Sequence, residues 1–330
     1  MSKCLVTGGA GFLGSHLVDK LINQGHEVVV IDNLSLGKRK FVNDKAEFYQ
    51  KDITEYEEIK PLFYGADVVF HVAADPRLQA SLENPTQSHK VNVTGTLNVL
   101  QASVEKDVDK VVFSSSGAIY GDQDELPISE DDQDDPNAPY PTHKLAGEKY
   151  MRLYSKLYDI DTVCLRYFNI YGPRKTTKGG HPMVIPAFLE QKQQGEPLII
   201  VGDGEQTRDY VHVYDVVRAN IKAWKSEFGS GDIFNIGSGI QVSVNEIAEI
   251  IGGETTHVPQ RPGEVRFSEA DISKAKEKLN WEPKVEFEDG MDQLMSYWGV
   301  SQDQENKSED WKSDLQLEAE GIKHNSTLKI

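Results

Sequence analysis

Short apolar runs alternate with amphipathic stretches through the first half of the chain. Cys4-Leu5-Val6 precedes a glycine turn and an amphipathic segment from Leu13 to Asn23. Glu27–Ile31 (EVVVI), Glu47–Gln50 and Asp67–His71 (DVVFH) read as the next strands. Val91–Val104 reads as a helix, Lys110–Phe113 (KVVF) as a strand, Thr142–Tyr158 as a long helix and Asp161–Arg166 (DTVCLR) as a strand. Strands that are apolar along their whole length, alternating with helices, predict a parallel sheet covered on both faces. The expected class is therefore α/β, a doubly wound parallel sheet.

After Tyr171 the alternation breaks. Residues 172–182 are rich in Gly, Pro, Lys and Thr and read as a loop. Later elements are shorter: Leu198–Val201, Asp232–Ile236 and a helix around Val244–Ile251. We expect a Rossmann domain over 1–170, with a returning segment at about 211–246. A smaller C-terminal α/β substrate domain is expected from 171–210 and 247–299. Residues 300–330 are polar, acidic and aperiodic, and read as a tail outside the catalytic body. No internal repeat is visible.

Charge narrows the partners. The 330 residues carry 53 acidic and 35 basic side chains, a formal net charge of -18. That balance argues against nucleic-acid binding, which needs a basic face. A polyanionic ligand would have to meet a few arginines placed locally against the overall field. The two cysteines, Cys4 and Cys164, each lie in an apolar run and read as buried thiols. No closely spaced His/Cys group suggests a metal. No apolar run approaches the roughly 20 residues of a membrane span, and residues 1–14 pass from Met1 straight into a strand and glycine loop, with no signal peptide visible. A cytoplasmic protein with no membrane partner is expected.

Thr7-Gly8-Gly9-Ala10-Gly11-Phe12-Leu13-Gly14 joins the first strand to the first helix. Gly8, Gly11 and Gly14 have the spacing of a dinucleotide loop, in which the backbone turns sharply and lies close to a pyrophosphate at a helix N-terminus. Glycines at this spacing also make plain turns, but the strand-loop-helix context fits a nucleotide. The second strand ends in Asp32, whose carboxylate suits the adenosine ribose hydroxyls and repels a 2′-phosphate, which points to NAD rather than NADP.

Tyr140 and Lys144 are one helical turn apart, so their side chains share a face. Ser114-Ser115-Ser116 ends the KVVF strand at the edge where open α/β sheets bind ligands. A tyrosine of pKa about 10 is a poor base at neutral pH. A neighbouring ammonium and a positive nicotinamide ring favour its phenolate. Such a phenolate can take a proton from a sugar hydroxyl that a serine positions. Tyr-x-x-x-Lys alone occurs on many surface helices. Beside the glycine loop and the serine strand it reads as catalytic.

With these residues in place, residues 1 to about 298 resemble the extended short-chain dehydrogenase/reductases, within them the nucleotide-sugar epimerases of the UDP-glucose 4-epimerase type. The motifs are TGGAGFLG (7–14), VIDNLS (30–35), HVAAD (71–75), NVTGT (92–96), FSSSGAIYGD (113–122), YPTHK (140–144), RYFNIYGPR (166–174) and RDYVHVYD (208–215). The resemblance implies that Ser116, Tyr140 and Lys144 are catalytic. It implies that Phe12, Leu13, Asn33, Ser35, Asp52, Ile53, Val72, Ala73, Ala74, Asn92, Lys144 and Tyr167 join the glycines and Asp32 around NAD. For the nucleotide-diphosphate sugar it implies Ser116, Tyr140, Asn169, Arg208, Arg261 and Glu264, with Val184 and Val201 toward the base. Physically, Asn169 and the two arginines can hold a diphosphate, and Glu264 can accept from a ribose hydroxyl.

Two departures bear on the sugar: Met183 stands where many relatives carry Asn, and Pro76, followed by Arg77, stands where others carry Lys. Ser268, seven residues after Arg261, is where a bulky tyrosine would exclude an N-acetyl group; serine leaves space for one. The expected reaction is C4 epimerisation of UDP-glucose/UDP-galactose, with the N-acetylhexosamine pair also admitted. Sister activities are a uronate epimerase or decarboxylase, a dehydratase or a reductase. Gly117 and Ala118, which have no acid–base capacity, stand where dehydratases carry an acidic pair. An inactive NAD-binding regulatory or RNA-binding protein is the non-enzymatic alternative. The apolar faces of the 91–104 and 142–158 helices predict a homodimer.

Overall fold

The protein was analysed as a computed structural model that describes residues 1–175, 183–259 and 265–300. Seven parallel strands form the main sheet: β1 (Lys3–Thr7), β2 (Glu27–Ile31), β3 (Glu47–Tyr49), β4 (Val68–His71), β5 (Lys110–Ser116), β6 (Asp161–Tyr167) and, returning late in the chain, Ser230–Ile236. Their order across the sheet is Ser230–Ile236, β6, β5, β4, β1, β2, β3. The chain therefore winds outward from β1 to β3, then crosses back to β4 and winds the other way. That reversal opens a crevice at the carboxyl ends of β1 and β4, where doubly wound sheets bind their ligands.

Alternate strand residues face opposite layers, which explains the unbroken apolar runs. Cys4, Val6, Val28, Val30 and Phe70 enter one core, and Leu5, Val29, Ile31, Val69, Val111 and Phe113 enter the other. Helix α1 (Phe12–Asn23) packs in the first core. After α2 (Tyr56–Ile59), α3 (Leu78–Glu83) and α4 (Pro85–His89), helices α5 (Gly95–Glu105) and α6 (Pro139–Leu157) flank the second. Cys4 and Cys164 are buried free thiols in different cores.

Two boundaries moved for identifiable reasons. Helix α6 begins at Pro139, three residues before the expected start, because prolines lose no hydrogen bond in a first helical turn. The helix expected at 91–104 instead begins in a wide π turn over Lys90–Thr94 that continues from α4 into α5 and carries Asn92.

Beyond Tyr171 the structure is more regular than the sequence suggested. β7 (Asn169–Tyr171), α7 (Val184–Gln194), β8 (Leu198–Val201), β9 (Thr207–His212) and α8 (Val213–Lys225) precede the returning strand, numbered β10. β11 (Gln241–Ser243), α9 (Val244–Ile251), β12 (Thr255–Val258), α10 (Ser273–Leu279) and α11 (Phe287–Trp298) follow it. β9 pairs with β7 in parallel and β11 in antiparallel fashion, and β8 pairs with β12. α8 packs in the same core as α1 and supports β10, while α7, α9 and α11 enclose a third core around Phe188, Leu189, Ile247 and Leu294. The expected loop at 172–182 lies partly, and the expected tail almost wholly, outside the described residues. Among the described residues no helix is long and apolar enough to cross a membrane.

Candidate active site

The glycine loop sits in the crevice between β1 and β4. Gly8 has φ +73°, and a Cβ there would come within 2.7 Å of the Ala73 amide nitrogen. A Cβ on Gly14 would lie 2.2 Å from the Gly8 carbonyl. Both positions need glycine, one for a left-handed turn against β4 and one for close helix packing. Gly11 caps α1 without any side-chain hydrogen bond to the first turn. The N–H groups around Phe12 and Leu13 are thus left toward the crevice, as an anionic pyrophosphate requires. Asp32 follows β2 and is nearly buried. Its carboxylate accepts from the Ala10 and Leu34 amides at 3.0 and 2.8 Å, and burial raises its pKa. Each oxygen keeps a lone pair for a ribose hydroxyl. These features fit a bound dinucleotide.

The other predicted cofactor residues divide between this edge and the protein interior. Asn33 donates to Asp52 at 2.9 Å and accepts from the Ser35 amide at 2.9 Å, tying the β2 and β3 loops together. Ile53 is buried against Gly95. Val72, Ala73 and Ala74 follow β4 and are partly exposed. Asn92 is 2% exposed and is used on protein: its carbonyl accepts from the Asp75 amide at 2.8 Å and its amide donates to the Asp75 carbonyl at 3.0 Å. The Tyr167 side chain is also turned inward, with its hydroxyl between Ser114 and Asn220 at 3.3 and 3.0 Å.

A buried hydrogen-bond chain beneath this edge went unassigned in the sequence. His71, which opens HVAAD, lies between Thr7 Oγ1 at 2.8 Å and Thr96 Oγ1 at 3.0 Å. Thr96 donates onward to the Asn92 carbonyl at 2.7 Å, and the Ala73 amide donates to Thr7 at 3.2 Å. Only one set of donors satisfies the chain: Thr7 donates to Nδ1, and Nε2–H donates to Thr96. The ring is therefore neutral, and burial pushes its pKa down to about 3.

Ser116, Tyr140 and Lys144 converge at the carboxyl edge of β5. Ser116 ends β5 and caps the next turn by accepting from the Ala118 amide at 3.2 Å. Tyr140 stands in the first turn of α6, where its amide donates to Ser81 Oγ at 3.2 Å. Burial pushes the Tyr140 phenol up to about 12; the Ser116 hydroxyl pulls against this, and the charge of Asp75 adds to it. Lys144 is 3% exposed and donates to the Ser114 carbonyl at 2.7 Å. Burial brings its ammonium down to about 7, offset in part by Glu148. The two other serines support this end of the strand. Ser114 supplies the Lys144 acceptor, and Ser115 donates to Glu148 at 2.6 Å.

Glu148 and Arg166 were also missed as a pair, although Glu148 is one turn beyond Lys144 and Arg166 opens RYFNIYGPR. Arg166 Nε and Nη2 donate to the two Glu148 oxygens at 2.9 and 2.8 Å, and Nη2 also reaches Asp134 at 2.7 Å. The guanidinium lies 4.5 Å from the Tyr120 ring centroid.

On the substrate side, Asn169 donates to the Asp209 carbonyl at 3.2 Å. Arg208 donates to the Thr207 and Arg266 carbonyls at 2.8 and 3.3 Å. A surface pair of Arg208 with Asp209 is not formed. Asp209 is wholly buried and accepts instead from the Ser238, Gly239 and Ala270 amides. Val184 opens α7, Val201 closes β8, and both are partly exposed. Ser268 is partly exposed, and its neighbour Arg266 is held by Asp203 at 2.8 Å. Arg261 and Glu264 lie outside the described residues.

The sequence pattern of the NAD dependent epimerase/dehydratase family matches residues 4–237. The chain belongs to this family. A Methanocaldococcus jannaschii protein provisionally named UDP-glucose 4-epimerase is 42% identical over 303 residues, covering 89% of this chain and 97% of its own. The solved Thermotoga maritima UDP-glucose 4-epimerase with UDP-glucose is 42% identical, with a TM-score of 0.86 over 90% of this chain and 98% of its own. A UDP-glucuronate 4-epimerase from Thermodesulfobacterium geofontis is 34% identical over 319 residues, covering 90% of this chain and 96% of its own. As a member of this family the chain is a Rossmann-fold, NAD-dependent enzyme of the epimerase/dehydratase type.

Proposed function

We propose that this enzyme interconverts the C4 epimers of a UDP-linked hexose, UDP-glucose and UDP-galactose, and admits the N-acetylhexosamine pair. The observation that carries the reading is the meeting of Ser116, Tyr140 and Lys144 beside the dinucleotide crevice, with only Gly117 and Ala118 following the serine. Gly117 and Ala118 offer no acid–base pair next to the serine for elimination of water. Bound NAD supplies the hydride acceptor at C4 and later its donor. Tyr140 removes the C4 hydroxyl proton and returns it. Ser116 holds that oxygen, and the Lys144 ammonium favours the phenolate. Ser116 and Tyr140 would hold the C4 oxygen while the bound cofactor supplied the redox chemistry through which the carbon is inverted.

In this reading Asn169, Arg208 and Arg261 hold the diphosphate, Glu264 the ribose, and Val184 and Val201 flank the base. The elements on β7–β9 and α9–α11 then serve as the substrate domain. A cytoplasmic homodimer is the proposed working form. Its support is the apolar surface of α6 and its end, where Leu153, Leu157 and Tyr158 are exposed. Purified enzyme should release NAD on denaturation and interconvert UDP-glucose and UDP-galactose without added cofactor. Stoichiometric consumption of NADH, or loss of carbon dioxide from a UDP-uronate with no hexose turnover, would replace this reading by a reductase or decarboxylase.

A further inference from the structure

Asp75 places a negative charge at the same sheet edge as the Tyr140 base. Its backbone is pinned on both sides by Asn92, which accepts from its amide at 2.8 Å and donates to its carbonyl at 3.0 Å. Its carboxylate is gripped in two places by Arg77, through Nε at 2.8 Å and Nη2 at 2.6 Å. The Asp75 side chain is 15% exposed and that of Arg77 37%. The pair is thus held rigidly while remaining open to a ligand. Arg77 leads directly into α3, whose Ser81 accepts from the Tyr140 amide, so the pair and the base are tied to one short helix.

A turn-forming role does not account for this. Asp75 does accept from the Arg77 amide at 3.2 Å, which starts α3. An asparagine would form the same turn. A carboxylate at this edge opposes the phenolate that Tyr140 must become. The charge itself calls for an explanation.

Building on the function proposed above, we propose that Asp75 and Arg77 form a clamp for the hydroxyls of a neutral hexosyl ring that discriminates against a uronate. An ionised carboxylate has about four acceptor sites; the Arg77 amide, Nε and Nη2 take three, leaving one lone pair on Oδ2 for a sugar hydroxyl. The guanidinium offers donors to a neighbouring hydroxyl. A uronate would bring a second carboxylate against Asp75, and like charges across a partly desolvated site repel. Arg77 cannot serve as a free receptor for that carboxylate because Asp75 already holds its fork.

The test compares wild type with Asp75→Asn, which keeps the turn and removes the charge. Dissociation constants for UDP-glucose and UDP-glucuronate are measured by calorimetry on the NAD-loaded enzyme, alongside kcat and KM for each. The clamp requires the preference for the hexose over the uronate to fall by about tenfold or more in Asp75→Asn, with uronate binding strengthened and hexose binding weakened. Arg77→Ala, which leaves Asp75 unopposed, should weaken uronate binding further. An unchanged ratio in Asp75→Asn, or equal loss for both sugars with NAD retained, overturns the clamp and leaves Asp75 a turn residue. Because binding is read apart from turnover, enzyme that shows the ratio change without epimerising either sugar would end the proposed reaction while supporting the clamp.

Discussion

Glu148→Gln removes one buried charge while keeping the side-chain volume. Glu148 and Arg166 are 2% and 1% exposed. The carboxylate accepts three hydrogen bonds, from Ser115 and from Arg166 Nε and Nη2. A glutamine has one acceptor oxygen, so its NH2 must face a donor of Ser115 or Arg166. Arg166 cannot relieve the conflict by losing its proton, because it remains charged at any ordinary pH. It keeps Asp134 at 2.7 Å, a partner that is partly exposed. Removing one partner of a buried pair costs ~3–5 kcal/mol, and the surviving Asp134 contact places this variant near the lower figure. In a body of this size, ~3 kcal/mol at ~2 °C per kcal/mol lowers the thermal midpoint by about 6 °C. Melting of NAD-loaded enzyme at pH 7 measures it. The double variant Glu148→Leu/Arg166→Met removes both charges and should lose less than the two single changes combined. A second readout is specific to the site. Glu148 raises the Lys144 pKa against burial, so its loss lets Lys144 deprotonate below about 7. The ammonium assists Tyr140, so the alkaline limb of the pH–rate profile moves to lower pH. A midpoint within 1–2 °C of wild type (~1 kcal/mol or less), additive single changes, or an unmoved alkaline limb would refute the reasoning.

Tyr140→Phe should reduce turnover ~10²–10⁴-fold with an unchanged melting midpoint, since only the proton-transferring hydroxyl is lost; kinetics and melting together decide it. His71 is neutral in the folded protein at a pKa of about 3 against an ordinary 6.5. The unfolded chain therefore takes up the proton first, and the stability held by the neutral ring, complete above pH 6.5, is lost as pH falls toward 3. His71→Gln should melt lower at pH 7 yet decline less steeply in acid, with a residual acid dependence because His16, His26, His143 and His212, also depressed by burial, still contribute. Ser268→Tyr should abolish turnover of UDP-N-acetylglucosamine while sparing UDP-glucose; a variant that still prefers the acetylated sugar defeats the space argument. Leu153→Glu with Leu157→Glu should convert a dimer to a monomer in sedimentation at micromolar concentration; a wild type already monomeric there would end the dimer proposal.

The cofactor loop was legible because its requirements are local. A left-handed turn at Gly8 and a tight strand-to-helix passage at Gly14 depend on residues within one βα unit, and so does the carboxylate that ends β2. Tyr140 and Lys144 were legible for the same reason, one helical turn apart. The region after Tyr171 was read poorly. α7 and α8 escaped the apolar pattern, although α8 packs Val213, Val216, Val217 and Ala219 in the same core as α1. β7 and β11 are three residues each, too short for a period to register.

The sequence by itself determined the parallel sheet, the glycine loop that opens α1, the one-turn spacing of Tyr140 and Lys144 on one helix and the net charge of -18. Periodicity, glycine spacing and net charge are properties of neighbouring residues or of the whole count. Tertiary structure alone decided where long-range partners fall. It set the neutral His71 between Thr7 and Thr96, 64 residues away on one side and 25 on the other. It joined Glu148 to Arg166 across α6 and β6, and turned Asn92 and Tyr167 to partners within the protein. It also placed the Asp75–Arg77 pair at the same edge as Tyr140. The pKa values of Tyr140 and Lys144 belong to this level too, because burial dominates both and the distant Asp75 charge adds to it at Tyr140; only the Glu148 charge at Lys144 is encoded by helical spacing.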